Sequence, residues 1–519
     1  MSSAIVVSAP GKVLIAGGYL VLDQKFTGLV VSASSRFYAV IQDRQEPDQA
    51  NQILVRSPQF IGAEWRYFVS ISNDGKVDVT EGSERIVTQC TLSTSKNKFV
   101  YYALKYTLIL AAEKLSPEDA PRWFRATLEQ GLDIATLGDN DFYSQQAKLQ
   151  EMNLPPTVAS LAQITPFCTQ DVELAEVNKT GMGSSAALIT SIVSALLLRF
   201  KVITQQEFSK PDSDARKLAH NTAQFIHCFA QGKVGSGFDV SAAVFGSQLY
   251  TRFNPALLDS LMEGGDAASG SLLLMSVLSP GEHWDYMAKP FQLPPLIRLM
   301  LADVSAGTNT PSLVSKVLKW RKEKAEEANK LWAEVNGSNQ ALATCLRRLS
   351  ELHAKDSSVY ASAVKHMSCL PSSEVALATT GVTQWLNRAV SEDEESIIQA
   401  FSDVRKASEN TRELMRQMGK QVGEDVHIEP DAQTGLLDAC IKQKGVICGG
   451  VPAGGFDAIW LLVFEPSDGT SEPLHAVEKL WERYPNVSPL LATESKDKGA
   501  KVEELEKVTG LNDAVKLRR

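Results

Sequence analysis

Short apolar blocks at 5–7, 12–15, 28–32 and 37–42, broken by glycines 11, 17, 18 and 28, predict a run of strands. Blocks at 53–57 and 65–71 predict more, with Asn73-Asp74-Gly75 as a turn. The period then lengthens: Val100, Leu104, Leu108 and Ala111 share one face and predict a helix over 97–114. Residues 114–171 lose that rhythm and are rich in charge and turn formers. They read as an insertion of mixed structure, with 132–144 as a strand and its exit. A strand-like segment at 172–177 leads into a glycine-rich loop and a helix over 186–200. Helical periodicity recurs at 214–232 and 240–245, and strands are expected at 272–277 and 297–304. From Pro311 long charged helices dominate to about Met418, followed by strands at 446–448 and 458–464 around a second glycine loop. The order implies an α+β chain: a mixed half, 1–270, then a helix-rich half, 271–519, finished by a small sheet.

Composition narrows the possible functions. A length of 519 residues suits two or more domains. The net charge of −9 disfavours nucleic acid as a partner, and an anionic substrate needs local basic groups against that field. Seven cysteines, odd in number and without a C-x-x-C pair, fit reduced thiols. Seven histidines without H-E-x-x-H spacing give no zinc signature. The N-terminal residues lack a basic, apolar leader, and the 186–200 stretch is too short to span a membrane. A cytoplasmic monomer or homodimer, with a small molecule rather than a membrane as partner, is the expectation.

The strongest chemical signal is Asn178-Lys179-Thr180-Gly181-Met182-Gly183-Ser184-Ser185-Ala186-Ala187. Glycines let backbone approach a ligand closely, and a helix start offers unpaired N–H groups and a positive dipole end. A dinucleotide fingerprint needs an acid about 20 residues further on. Residues 199–204 (Arg-Phe-Lys-Val-Ile-Thr) hold none. A P-loop needs Lys after the last glycine, and Ser184 stands there. A phosphate cradle and a plain serine-capped glycine turn both remain open. Taken alone, Lys12 reads as a surface lysine and Asp239 as a helix cap. His220, Gln224, His227 and Gln231 recur at helical spacing and read as core or supporting polar groups.

Three segments together resemble the motifs of the GHMP small-molecule kinases. They are Ala9-Pro10-Gly11-Lys12-Val13-Leu14-Ile15-Ala16-Gly17-Gly18-Tyr19, the loop 179–187, and Gly450-Val451-Pro452-Ala453-Gly454-Gly455-Phe456-Asp457. The third is one glycine shorter than the usual Pro-Gly-Ala-Gly-Gly. Finer details at 17–22, 140–144 and 230–243 resemble the fungal and plant branch whose acceptor is 5-phosphomevalonate. Mevalonate kinases usually carry Gly-Glu-His where Gly17-Gly18-Tyr19 stands.

The resemblance implies a two-domain fold: a ribosomal S5 domain 2-like N-terminal domain, a ferredoxin-like helix-rich C-terminal domain, and an active site in the cleft between them. It implies ATP and Mg2+, with γ-phosphoryl transfer to 5-phosphomevalonate in isoprenoid and sterol precursor synthesis. Lys12, Lys179 and Asp239 are then catalytic, and Gly181, Met182, Gly183, Ser184, Ser185, Ala186 and Ala187 bind ATP, Ser184 and Ser185 also touching the metal. Gly18, Tyr19, Ser236, Ser305, Thr308, Ser312, Gly454 and Gly455 bind the acceptor. A phosphate acceptor has a second pKa of about 6 and little need of a base. Asp239 is therefore expected to fix Lys12 or the metal, and Lys179 to lie between two repelling phosphates. Another GHMP kinase, such as a mevalonate kinase, and an inactive nucleotide-binding regulator are the alternatives.

Overall fold

The computed structural model describes residues 4–44, 50–82, 97–264, 274–304, 310–370, 391–452, 455 and 458–517. In the first part of the chain the strands are β1 (Ile5–Ala16), β2 (Thr27–Asp43), β3 (Gln52–Arg56), β4 (Glu64–Ile71), β5 (Val77–Glu81) and β6 (Leu132–Gly138). Helix α1 (Lys98–Lys114) precedes β6, and α2 (Ser184–Arg199), α3 (Asp214–Gln231) and α4 (Phe238–Phe245) follow it. Then come β7 (Gln248–Thr251), β8 (Met287–Pro290), β9 (Ile297–Val304), and helices α5 (Thr310–Glu323), α6 (Ala325–Lys355), α7 (Ser357–Ser368) and α8 (Glu392–Val422). Strands β10 (Val446–Gly450), β11 (Ala458–Phe464), β12 (Val487–Leu490) and β13 (Lys501–Glu503) complete the set.

Two pairs of expected strands are single long ones. β1 runs through Pro10-Gly11 because a register shift between Pro10 and Lys12 absorbs the irregularity while pairing with β2 continues. β2 runs through polar Ser34 and Ser35 because the chain near its end covers that stretch: Ser34 N–H donates to Thr493 O, and Ser495 N–H to Ser32 O. Such a long strand has room for three neighbours. Its end, Phe37–Asp43, pairs with β6, its start with β7, and β1 lies along the other edge.

Among the described residues the first sheet has nine strands, in the order β13-β1-β2-β6-β3-β4-β5, with β7 and β8 branching from β2. β6 lies between β2 and β3, so the segment expected as an insertion, 114–171, supplies a central strand. The expected half 271–519 contributes two strands to this first sheet, β8 and β13.

The second sheet, β10-β11-β9-β12, is antiparallel throughout. Its strands are continuous apolar runs because both faces are covered. Leu299, Leu301, Trp460, Leu462 and Phe464 join the main core, whereas the alternating Met300, Ala302, Ile459, Leu461 and Val463 pack with the helix Asp431–Ile441. α2 is likewise apolar on nearly every side and sits between the first sheet and α1 and α3.

Two expectations fail. The segment 272–277 is helical from Leu274 to Leu278, because the Glu113 carboxylate accepts the Leu274 and Met275 N–H groups and caps a helix start. The segment 172–177 makes only an isolated bridge from Glu173 to Ile61 and then turns, Glu176 N–H donating to Glu173 O.

Candidate active site

The glycine loop at 179–187 is shaped by close packing against β1. Gly181 and Gly183 have φ of 73° and 77°, and Gly183 caps the start of α2. The Lys12 N–H donates to Met182 O at 3.0 Å. A Cβ at Gly11 would stand 3.0 Å from that same carbonyl oxygen and 3.1 Å from the Phe142 ring. A Cβ at Gly183 would stand 3.1 Å from the Lys12 side chain. Glycine at both positions therefore lets strand and loop touch. Lys12 uses that proximity: its Nζ donates to Gly181 O at 2.8 Å and lies 5.6 Å from the centroid of the Phe238 ring.

Phe238 opens α4, and Asp239 follows it. The cap of α4 is Gly237, with φ 84°, so Asp239 sits inside the first turn, where a carboxylate favours the dipole. Its Oδ1 accepts from Val240 N–H at 2.9 Å. Its Oδ2 lies 3.8 Å from His227 Nε2, and the side chain keeps 22% of its surface exposed. His227 comes up from α3 and reaches the loop as well, its Nε2 standing 3.1 Å from Ser185 Oγ.

A cavity of about 550 Å³ opens beside this group, lined by Gly18, Tyr19, Ser236, Asp239, Val314 and Leu318 among others. Tyr19 is the strained member. Its φ of 63° with ψ of −42° lies outside the regions that non-glycine residues favour. Its buried hydroxyl has no hydrogen-bond partner among the described residues, and burial raises its pKa. Gly17 and Gly18 also meet Gly449 and Gly450 across a small cavity, which brings the first and third motifs together.

Lys179 lines a different cavity, of about 620 Å³, with Ser144, Asn178 and Asp303. It forms a bridge to Tyr143 and is exposed, while the protein atoms crowding its ammonium push its pKa below the ordinary value.

Of the expected acceptor residues, Gly18, Tyr19 and Ser236 line the cavity that Asp239 lines. Ser312 is exposed on the first turn of α5, and the wall that helix presents to the cavity is Val314, Ser315 and Leu318. The i, i+4 spacing of Val314 and Leu318 carried that signal. Gly455 is buried, donating its N–H to Ile428 O, so it anchors its loop through backbone. Ser305, Thr308 and Gly454 lie outside the described residues. His227, read from sequence as a supporting polar group, stands against both the phosphate loop and Asp239.

No protein-family model matches the chain. The two-sheet α+β fold, with a glycine loop packed on β1, is the fold of the GHMP small-molecule kinases. The solved Streptococcus pneumoniae phosphomevalonate kinase, in complex with phosphomevalonate and AMPPNP, shares the fold at 12% identity. Its TM-score is 0.54, and the match covers 95% of this chain and all of that one. The peroxisomal phosphomevalonate kinase of Arabidopsis thaliana is 36% identical over 515 residues, covering 95% of this chain and 94% of the relative. The Aspergillus fumigatus phosphomevalonate kinase is 33% identical, over 92% of this chain and 90% of its own. The chain belongs to the phosphomevalonate kinase family.

Proposed function

We propose that the chain transfers the γ-phosphoryl group of ATP to the phosphate of 5-phosphomevalonate, giving 5-diphosphomevalonate and ADP. The observation that carries this is Lys12, held at Gly181 of the loop and lying beside Phe238, whose neighbour Asp239 lines the 550 Å³ cavity. Phosphoryl transfer is mainly positioning and charge stabilisation, and these groups supply both. The loop N–H groups at the start of α2 cradle the nucleotide phosphates. Lys12, held at Gly181 O, places its cation beside them. Leu14, Val21, Val314 and Leu318 give the cavity an apolar wall that suits the acceptor's carbon skeleton. Lys179, in a separate cavity from Asp239, acts from the nucleotide side.

Among the described residues no group of three or more His, Cys, Asp or Glu is placed to hold a metal. The donor set, two serine hydroxyls and one carboxylate, instead fits a magnesium ion that arrives on the nucleotide's phosphate oxygens. Ser184, Ser185 and Asp239 would hold it, and its charge would neutralise those oxygens. The acceptor phosphate is largely dianionic at neutral pH, so Asp239 orients Lys12 or the metal and is not needed as a base.

The test is ADP release with MgATP against phosphomevalonate, mevalonate, diphosphomevalonate, homoserine and galactose. Phosphomevalonate is expected to exceed every other acceptor by about a hundredfold or more in kcat/KM. Preference for mevalonate overturns the assignment, and silence with every acceptor favours a nucleotide-binding regulator.

We place the protein in the cytoplasm as a monomer or homodimer. The support is the cysteine pattern, which fits reduced thiols. The Arabidopsis relative's peroxisomal name makes that organelle the competing location, which fractionation of cells separates from cytoplasm.

A further inference from the structure

One buried side chain joins the two halves of the catalytic group. His227 is 3% exposed, projects from α3, and packs beside Phe99 of α1. Three polar atoms surround a single ring nitrogen. Ser185 Oγ and Gln231 Nε2 each lie 3.1 Å from Nε2, and Asp239 Oδ2 lies 3.8 Å away. Ser185 belongs to the phosphate loop and Asp239 to α4, so α3 carries the only imidazole among the described residues that faces both.

The hydrogen-bond polarity at that nitrogen has a consequence. An amide –NH2 can only donate, so in the tautomer whose proton sits on Nδ1 the ring nitrogen accepts from Gln231. In that tautomer the Ser185 hydroxyl, 3.1 Å from the same nitrogen, donates to it. With its proton committed to His227, Ser185 presents only lone pairs to the loop's ligand. Lone pairs repel a phosphate oxygen and attract a cation. We propose that His227 is a positioning residue that turns Ser185 into a metal-facing oxygen and holds it in fixed relation to Asp239. This rests on the reading of Ser185 as a contact of nucleotide-borne magnesium, and it assigns to His227 a part the loop motif does not contain.

Calorimetric binding of ADP, with Mg2+ and with chelator, to the whole protein tests it without any acceptor present. His227→Phe is expected to weaken MgADP about tenfold or more, the scale of losing a group that orients a metal ligand. Metal-free ADP binding should stay unchanged. Ser185→Ala should show the same selective loss, and the double variant should lose no more than the larger single loss, because one contact has been removed twice. His227→Gln, which keeps an acceptor at similar reach, should recover most of the affinity. If His227→Phe does not fold, His227→Asn, too short to meet Ser185, replaces it with the same expectations.

Equal weakening of ADP and MgADP overturns the proposal. So do losses that multiply in the double variant, or His227→Gln behaving as His227→Phe. A wrong acceptor assignment would appear in the ADP-release panel and leave these binding results untouched.

Discussion

Lys12 and Lys179 show how differently two lysines of the proposed site are treated. Lys12 emerges from a strand interior, and its ammonium is held between a backbone carbonyl and an aromatic face. Lys179 follows a turn, and its charge is disfavoured by the protein around it. A lysine whose pKa is depressed is charged below that pKa and loses its charge, as pH rises, earlier than an ordinary lysine at about 10. Nucleotide affinity of the free enzyme should therefore decline on the alkaline side before the usual lysine range. Lys179→Arg, which stays protonated, should flatten that decline. Titrating MgADP affinity against pH in both proteins checks this, and superimposable profiles would remove Lys179 from the nucleotide's surroundings. Residue types and spacing made Lys12, Asp239 and the loop legible. Nothing along the chain marks His227 as the group against Ser185, because α3 and α2 meet only through tertiary packing.

At the scale of elements, the site depends on a strand irregularity. The shift in β1 between Pro10 and Lys12 is where the phosphate loop docks, and it docks through backbone: Lys12 N–H to Met182 O. Gly11→Ala would drive a methyl against that carbonyl and the Phe142 ring. Overpacking of this kind costs about 1–3 kcal/mol, and a backbone oxygen has less freedom to move than a side-chain tip. The KM for ATP should rise while the thermal midpoint falls only modestly; an unchanged KM with a lowered midpoint would mean the loop does not rely on this contact. The helices α1 and α3, the unbroken apolar run of α2, and the charged stretch that holds α6 and α8 were legible in the sequence. The 272–277 and 172–177 segments were misread as strands. One is capped from α1 by Glu113, and the other lies beside the sheet without extending it.

For the whole molecule, the return of the chain's end to the first sheet is the decisive event. β13 pairs with β1, the strand that carries Lys12, and Arg216 of α3 braces the approach. Its buried guanidinium donates to four carbonyls, Phe208 O, Val244 O, Lys498 O and Ala500 O. Burial pushes its pKa down to about 10, which leaves it charged at neutral pH. Arg216→Leu would take the donor from Phe208 O, Lys498 O and Ala500 O, while Val244 O keeps the Ala500 N–H, each loss at about 1–3 kcal/mol, so about 3 kcal/mol or more is expected in urea unfolding. A loss below about 1 kcal/mol would show that solvent or neighbouring groups satisfy them instead.

The sequence by itself determined the α+β class and most of the helices, and it singled out the glycine loop, Lys12 and Asp239 as candidates. Periodicity and glycine placement act locally and survive without knowledge of the fold. Only the tertiary structure decided that β6 is central, that β13 closes on β1, that Val314 and Leu318 wall the cavity beside Asp239, and that His227 stands between Ser185 and Asp239. Each of these is a pairing between segments far apart in the chain. A hydrogen-bond or packing partner leaves no mark on the residue that will meet it until burial brings the two together.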